Sequence, residues 1–172
     1  MTISAKLTAK FSALQAGANA FGDRFDPIVE AALAVVNGTG AGQADLLYAD
    51  ERTIGDGADD DIDLTGGLTD AFGTTLTFVE LVALLVINAP ITGSANTTDL
   101  SIGGGGASSF VGFFNAVADV IGPLKPGGVF LLAATDAAGI GTVVDSTGDV
   151  LRIGNSAGAA ATYQIVILGR SA

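Results

Sequence analysis

The first residues of the chain alternate between polar and apolar side chains. Over residues 2–13, apolar side chains such as Leu7 and Phe11 take the odd positions, and Thr, Ser and Lys take the even ones. A period of two is typical of a β-strand that is half buried or lies at a sheet edge. The pattern predicts an N-terminal strand, and we interpret residues 1–22 as an arm that precedes a single β-rich domain over residues 23–172.

Apolar runs in the first half of the chain predict further strands. Pro27–Val36 is rich in alanine and is compatible with a helix, but it is short and ends at the turn signature Asn37-Gly38, which favours a strand. Thr75–Asn88 is apolar on all sides, as expected of a central strand buried on both faces, although a buried helix shares this pattern. Between these runs we expect a strand over residues 43–54 and then an acidic loop up to Asp63.

One segment favours a short helix. Ser108 can cap a first turn, and Phe110, Phe113 and Phe114 follow at the i, i+3, i+4 spacing of one helix face. Such a face is compatible with insertion into the domain core and with anchoring a neighbouring subunit. We favour insertion into the core.

The last third of the chain is a series of short β-rich runs separated by turn sequences that contain Gly, Asp or Pro. The runs cover residues 120–124, 129–134, 141–145, 150–153 and 162–168. Short strands at regular spacing, joined by glycine-rich turns, are typical of antiparallel architectures. The predicted fold class is therefore mainly β, an antiparallel β-sandwich or jelly-roll-like barrel with one short helix.

Charge and residue types narrow the range of functions. Seven basic and eighteen acidic side chains give a net charge of −11, which argues against nucleic-acid partners and against anionic membranes. The chain has no cysteine and no histidine, which excludes thiol nucleophiles and zinc–thiolate sites and removes the usual general base. We expect no enzymatic activity and no cofactor.

The charged fraction is low for a protein that works alone. Charged residues make up 15% of the chain and hydrophobic residues 49%, whereas ordinary soluble domains carry roughly 25% charged residues. A surface so poor in charge exposes apolar patches, which usually mark contacts with partners. Alanine inflates the hydrophobic fraction, yet the composition favours a component of an assembly.

The densest charge cluster imitates the first half of a calcium-binding loop, with the pattern Asp59-x-Asp61-x-Asp63. The position that needs glycine for the sharp turn is Leu64, and the position of the bidentate glutamate is Asp70. A solvated loop is the favoured interpretation, with an irregular calcium site as the alternative, and we assign no metal ligands.

Charges near the two chain ends suggest a contact between copies of the chain. The cationic ends of one copy can pair with the acidic cluster of the next. Such pairs would set the register of the contact more than its affinity, because exposed ion pairs contribute roughly 0–1 kcal/mol each. The candidate interface residues are Lys6, Lys10, Phe11, Asp59, Asp60, Asp61 and Arg170.

Five turn-and-strand motifs are spread over most of the chain. They are Asn37-Gly-Thr-Gly-Ala-Gly-Gln-Ala-Asp45, Leu68-Thr-Asp-Ala-Phe-Gly73, Lys125-Pro-Gly-Gly-Val-Phe-Leu-Leu132, Gly148-Asp-Val-Leu-Arg-Ile-Gly-Asn-Ser156 and Thr162-Tyr-Gln-Ile-Val-Ile-Leu-Gly-Arg-Ser-Ala172. In residue type and spacing they resemble a group of small structural proteins of tailed bacteriophages. The resemblance implies a virion component, a capsid decoration or cement protein on the capsid exterior, synthesised in the host cytoplasm. The partners so implied are the major capsid protein and further copies of the chain, which we expect to form a homotrimer.

Two other functions remain as alternatives. The first is a tail, baseplate or host-binding fibre component, although a receptor module needs a concave site with aromatic side chains, and aromatic residues are only 6% of this chain. The second is a calcium-dependent or carbohydrate-active protein. We favour the cement protein because the low charge and small residues suit close packing against neighbours.

Overall fold

The computed structural model describes residues 2–17 and 24–172. These residues form fifteen β-strands and no helix, so the described part of the chain has no helix long and apolar enough to cross a membrane. The strands are β1 (Ser4–Ser12), β2 (Gln15–Ala16), β3 (Arg24–Phe25), β4 (Ile28–Val36), β5 (Leu46–Ile54), β6 (Asp59–Asp63), β7 (Leu68–Thr69), β8 (Thr75–Leu76), β9 (Glu80–Ile87), β10 (Leu100–Gly103), β11 (Val120–Leu124), β12 (Val129–Ala133), β13 (Gly141–Thr142), β14 (Val150–Asn155) and β15 (Ala161–Arg170). The prediction of a mainly-β fold is confirmed.

Two antiparallel sheets build the domain. One has the strand order β11-β10-β14-β6, and the other has the order β12-β9-β15-β5, with β13 also paired to β9. The inner faces of both sheets contribute to one buried cluster, where Ile62 and Ile153 of the first sheet meet Leu84 and Ile165 of the second. The arrangement is that of a β-sandwich. The two sheets are called below the four-stranded and the five-stranded sheet.

Several predicted strands are confirmed. The alanine-rich run before Asn37 is β4, and the central apolar run contains β9, which pairs on both sides, with β12 and with β15. In the last third of the chain, the runs at 120–124, 129–134, 150–153 and 162–168 correspond to β11, β12, β14 and β15. Only the first two residues of the run at 141–145 form a strand.

The short helix predicted within Ser108–Asn115 is not present. The backbone pairs with β14 instead, because Ser109 forms a bridge with Val150 and the Phe110 amide donates to the Val150 carbonyl at 2.8 Å. Gly112, which is a poor helix former, lies where a side chain would collide with a neighbouring backbone segment. Phe110 is nevertheless buried in the core, as favoured from the sequence. It reaches the core from an irregular segment and not from a helix.

The acidic segment predicted to be a loop is the edge strand β6. All five of its residues pair with β14, which rules out the compact calcium loop that the sequence imitates. Alternation turns Ile62 into the core and leaves Asp59, Asp61 and Asp63 exposed. Charged side chains on an edge strand discourage pairing with another chain, so β6 is a protected edge.

Candidate interaction surface

A two-stranded arm leaves the domain. Strands β1 and β4 pair without interruption from Ser4 opposite Val36 to Ser12 opposite Ile28. Residues opposite each other in an antiparallel pair lie on the same side of the ribbon. One side, here called the inner face, carries only apolar pairs: Ala5 with Val35, Leu7 with Leu33, Ala9 with Ala31, and Phe11 with Val29. The lysine, serine and threonine side chains of β1 lie on the other side.

The base of the arm packs on the outside of the five-stranded sheet. Ile3 and Val35 are buried in a second hydrophobic cluster together with Val82, Ala83 and Leu168 of the sheet. Burying side chains of this size contributes roughly 1.5–3 kcal/mol each. The alternation of the N-terminal segment therefore serves, over the first half of the arm, to fix the arm to its own domain.

The second half of the inner face has no cover among the described residues. Phe11 is 62% exposed and Val29 is 66% exposed. Leu14 and Phe25 are also exposed, as is Ile28, which lies opposite Ser12 on the other side of the ribbon. Contiguous large apolar side chains in water usually mark an interaction site. We call residues 9–12 and 28–31 the arm tip.

The outer face of the five-stranded sheet beside the arm is also apolar. The strand register aligns Leu131, Leu85, Val166 and Ala49 in one row across four strands. An antiparallel sheet normally presents polar residues to water, and this row has none. Between the row and the arm lies a groove of about 380 Å³, called here the outer groove. Its described lining includes the charged residue Lys6 and no carboxylate.

Two of the exposed carboxylates of β6, those of Asp59 and Asp61, contact Arg152 on the neighbouring strand. The Arg152 Nε and Nη2 atoms donate to the two oxygens of Asp61 at 2.6 and 2.8 Å, and Nη1 lies 3.0 Å from Asp59 Oδ2. The hydrogen bond from Arg152 lowers the pKa of Asp61. These carboxylates therefore already have a cationic partner within the chain.

Asp60 joins the two sheets through an inward-facing network. Arg52 of β5 donates from Nε and Nη2 to the two oxygens of Asp60, each at 2.7 Å, and the Tyr163 hydroxyl donates to the same carboxylate at 2.9 Å. Burial by itself would raise the pKa of Asp60, but the hydrogen bonds from Arg52 and Tyr163 outweigh it and lower that pKa. Burial, with the Asp60 charge beside it, raises the pKa of Tyr163. The network therefore links the two sheets at the side of the sandwich where β5 ends one sheet and β6 ends the other.

Replacing Asp60 by asparagine tests this network. A carboxyl whose pKa is lowered in the folded state stabilises the fold above its unfolded-state pKa, and that contribution is lost as the pH falls through the folded-state pKa. Asp60→Asn is therefore expected to lower the free energy of unfolding by about 1–3 kcal/mol at pH 7. The difference from wild type should shrink once the pH falls below 3.8, the ordinary value for aspartate. Urea unfolding across this pH range measures it.

Glu30→Gln is the control for that experiment. Glu30 lies on the arm, where its carboxylate is 3.8 Å from Lys10 and both side chains are well exposed. Exposed pairs of this kind contribute about 0–1 kcal/mol. An Asp60→Asn deficit that is no larger than that of Glu30→Gln, or that stays constant at all pH values, would show that the Arg52 network does not stabilise the fold.

Six of the seven candidate interface residues lie in two separate regions. Lys6, Lys10 and Phe11 are on the arm, which packs on the five-stranded sheet, whereas Asp59–Asp61 belong to the far edge of the four-stranded sheet. One chain does not bring the two groups together. The inward turn of Asp60 and the Arg152 contacts to Asp59 and Asp61 occupy the carboxylates that were expected to meet a neighbouring copy.

The seventh residue, Arg170, is completely buried. Its Nη1 donates to Glu80 Oε2 at 2.7 Å, and its other donors reach the carbonyls of Gln43, Asp136 and Ala137 at 2.7–3.0 Å. A guanidinium with this many internal acceptors has no access to another subunit. Arg170 therefore holds the C-terminal strand in its own domain and is not an exposed interface residue.

The sequence interpretation missed the outer groove. Its floor includes Leu85, Leu131 and Val166, which occupy outward positions of β9, β12 and β15. The available signal was the apolar character of β9 at both odd and even positions, which predicted burial on both faces. In the described structure the arm covers only one end of that outer face, so part of the apolar surface is left open.

Among the described residues, no group of three or more metal-ligating side chains could hold a metal ion. Asp63, Asp145 and Asp149 do converge on the Thr65 hydroxyl, at 3.1, 3.4 and 3.1 Å. The Ser146 amide also donates to Asp149 at 2.8 Å. These carboxylates organise turns through donors of the chain itself.

Comparison of the chain with protein-family models, with curated proteins and with solved structures gives no match in any of the three.

Proposed function

We propose that this chain is a structural protein of a tailed-bacteriophage virion, which decorates the capsid exterior and stabilises the capsid through subunit–subunit contacts. The observation that carries the proposal is the arm, whose apolar inner face continues past the surface of its own domain. Exposing Phe11 and Val29 is unfavourable for a protein that acts alone, whereas a cement protein needs such a surface to hold its neighbours. The turn-and-strand motifs supply the bacteriophage context.

The distribution of apolar and charged residues supports attachment by one side. The inner face of the arm tip and the outer groove are apolar and belong to the side of the five-stranded sheet. The carboxylates of β6 lie on the edge of the four-stranded sheet. A decoration protein needs both kinds of surface, because an apolar surface contacts the shell and exposed carboxylates keep the particle dispersed in water. The partners in the proposal are the major capsid protein and further copies of the chain in a homotrimer.

Reconstitution on capsids tests the proposed function. Capsids of the phage that encodes the chain are prepared without it, and the purified protein is added back. We expect saturable co-sedimentation with the capsids and a rise in the temperature at which they release their DNA. The arm variant Phe11→Asp should bind at least about tenfold more weakly, because it places a charge in an apolar contact.

Phe72→Asp is the matched control in this assay. Phe72 is 80% exposed and lies in the turn between β7 and β8, outside the arm and the groove. We expect this variant to bind capsids like wild type. Absence of co-sedimentation, or capsids equally resistant to heat with and without the protein, contradicts the proposal, and binding to host cells instead would favour a fibre component.

A further inference from the structure

Two surfaces of the described chain are both apolar and both accessible to a partner: the inner face of the arm tip and the outer groove. The inner face of the arm tip is an apolar strip, with Phe11 opposite Val29. The outer groove offers an apolar floor that includes Leu85, Leu131 and Val166. The chain already shows how such surfaces fit, because the base of the same inner face packs on the same sheet. The apolar strip of the arm tip continues the same inner face beyond this packing, and the floor belongs to the same outer face of the sheet.

Charge favours a second copy of the chain as the occupant of the groove. Each copy carries a net charge of −11, so the repulsion between two copies is smallest where carboxylates are absent from the contact. The described lining of the groove contains no carboxylate and includes Lys6. The inner face of the arm tip is likewise free of carboxylates, since Glu30 lies on the opposite side of the ribbon, beside Lys10.

The edge strand beside the groove is open to a neighbour as well. β12 ends the five-stranded sheet, and its sequence Val129–Ala133 has no charged residue and no proline. Edge strands are normally protected by such residues, as β6 is by its aspartates. Val129, at the start of β12, is 59% exposed. A second copy that enters the groove would cover this edge.

We propose that the arm tip of one copy packs in the outer groove of the next, so that the copies join head to tail. In a homotrimer three such contacts close around a threefold axis, and every arm and every groove is then occupied. This inference deepens the proposed function and rests on its subunit–subunit contacts. It requires no capsid, so the purified chain is sufficient to test it.

The test is the mass of the full chain by light scattering after size exclusion, at micromolar concentration. The wild-type protein is expected to have the mass of a closed oligomer, a whole multiple of the 16.9 kDa chain. Phe11→Asp removes the apolar tip and Val129→Asp removes the groove edge, and each should weaken association on the order of tenfold or more. An equimolar mixture of the two variants should form a heterodimer, because the intact arm of one still fits the intact groove of the other.

Phe72→Asp serves as the matched control and should keep the wild-type mass. Thermal unfolding of each variant separates loss of association from loss of folding, since both substituted positions are exposed in the single chain. A wild type that stays monomeric overturns the inference, as does an oligomer unaffected by both variants. Self-association without capsid binding would instead contradict only the proposed capsid role.

Discussion

Arg170→Ala is expected to lower the free energy of unfolding by about 3–5 kcal/mol, the cost of removing one partner from a buried ion pair. The side chain is fully buried, and its loss leaves Glu80 and three backbone carbonyls without their donor. Arg170→Lys should recover only part of this stability, because a single ammonium cannot reach acceptors that the planar guanidinium reaches at once. Urea unfolding at pH 7 measures both variants.

Lys125→Ala is the control for Arg170→Ala. Lys125 also forms a short ion pair, 2.6 Å from Asp99, but its side chain is 70% exposed. Exposed pairs contribute about 0–1 kcal/mol, so this variant should unfold almost like wild type. If the two substitutions cost the same, the buried Arg170 contacts do not hold the C-terminal strand.

Phe110→Ala is the second large effect, with an expected loss of about 3–5 kcal/mol for a buried phenylalanine. Its ring is 1% exposed and lies 5.7 Å from the ring of Phe113, edge to face. Removing it leaves a cavity between the two sheets, because the neighbouring backbone is already tightly packed. Thermal or urea unfolding measures the loss.

Phe72→Ala provides the comparison with the same residue change at a surface site. Phe72 is 80% exposed, and surface substitutions usually stay within about 0.5 kcal/mol. A Phe110→Ala protein that keeps its stability but loses its oligomeric mass would show instead that this aromatic residue anchors a neighbouring subunit, the interpretation that the sequence left as the weaker one.

Local alternation was enough to predict much of the fold. The strict period of two before residue 14 predicted β1, and the turn sequences of the last third predicted β11, β12, β14 and β15. The same alternation separates the apolar inner face of the arm from its polar side. Strand geometry places successive side chains on opposite faces, so this information is carried by neighbouring residues and needs no knowledge of the rest of the chain.

Only the arm part of the candidate site could be predicted from the sequence. Phe11 and the lysines of the arm are visible in the sequence pattern, whereas the groove is assembled from β9, β12 and β15, which are far apart in the chain. The spacing of Phe110, Phe113 and Phe114 predicted a helix that is absent, again because residues far apart in the chain determine the local structure. The backbone at Ser109 and Phe110 pairs with Val150 of β14, about forty residues away, and tertiary pairing overrides a weak local preference.

The sequence by itself determined the strand content, the apolar stripe of the arm and the shortage of surface charge, because these follow from residue type and nearest-neighbour geometry. Only the tertiary structure decided which carboxylates and guanidiniums meet. Arg152 binds Asp61 and Arg170 binds Glu80 across separations of 91 and 90 residues. Core packing and sheet register select such partners. For this reason Arg170, which the sequence places near the chain end as a candidate interface charge, is fully buried and holds the C-terminal strand.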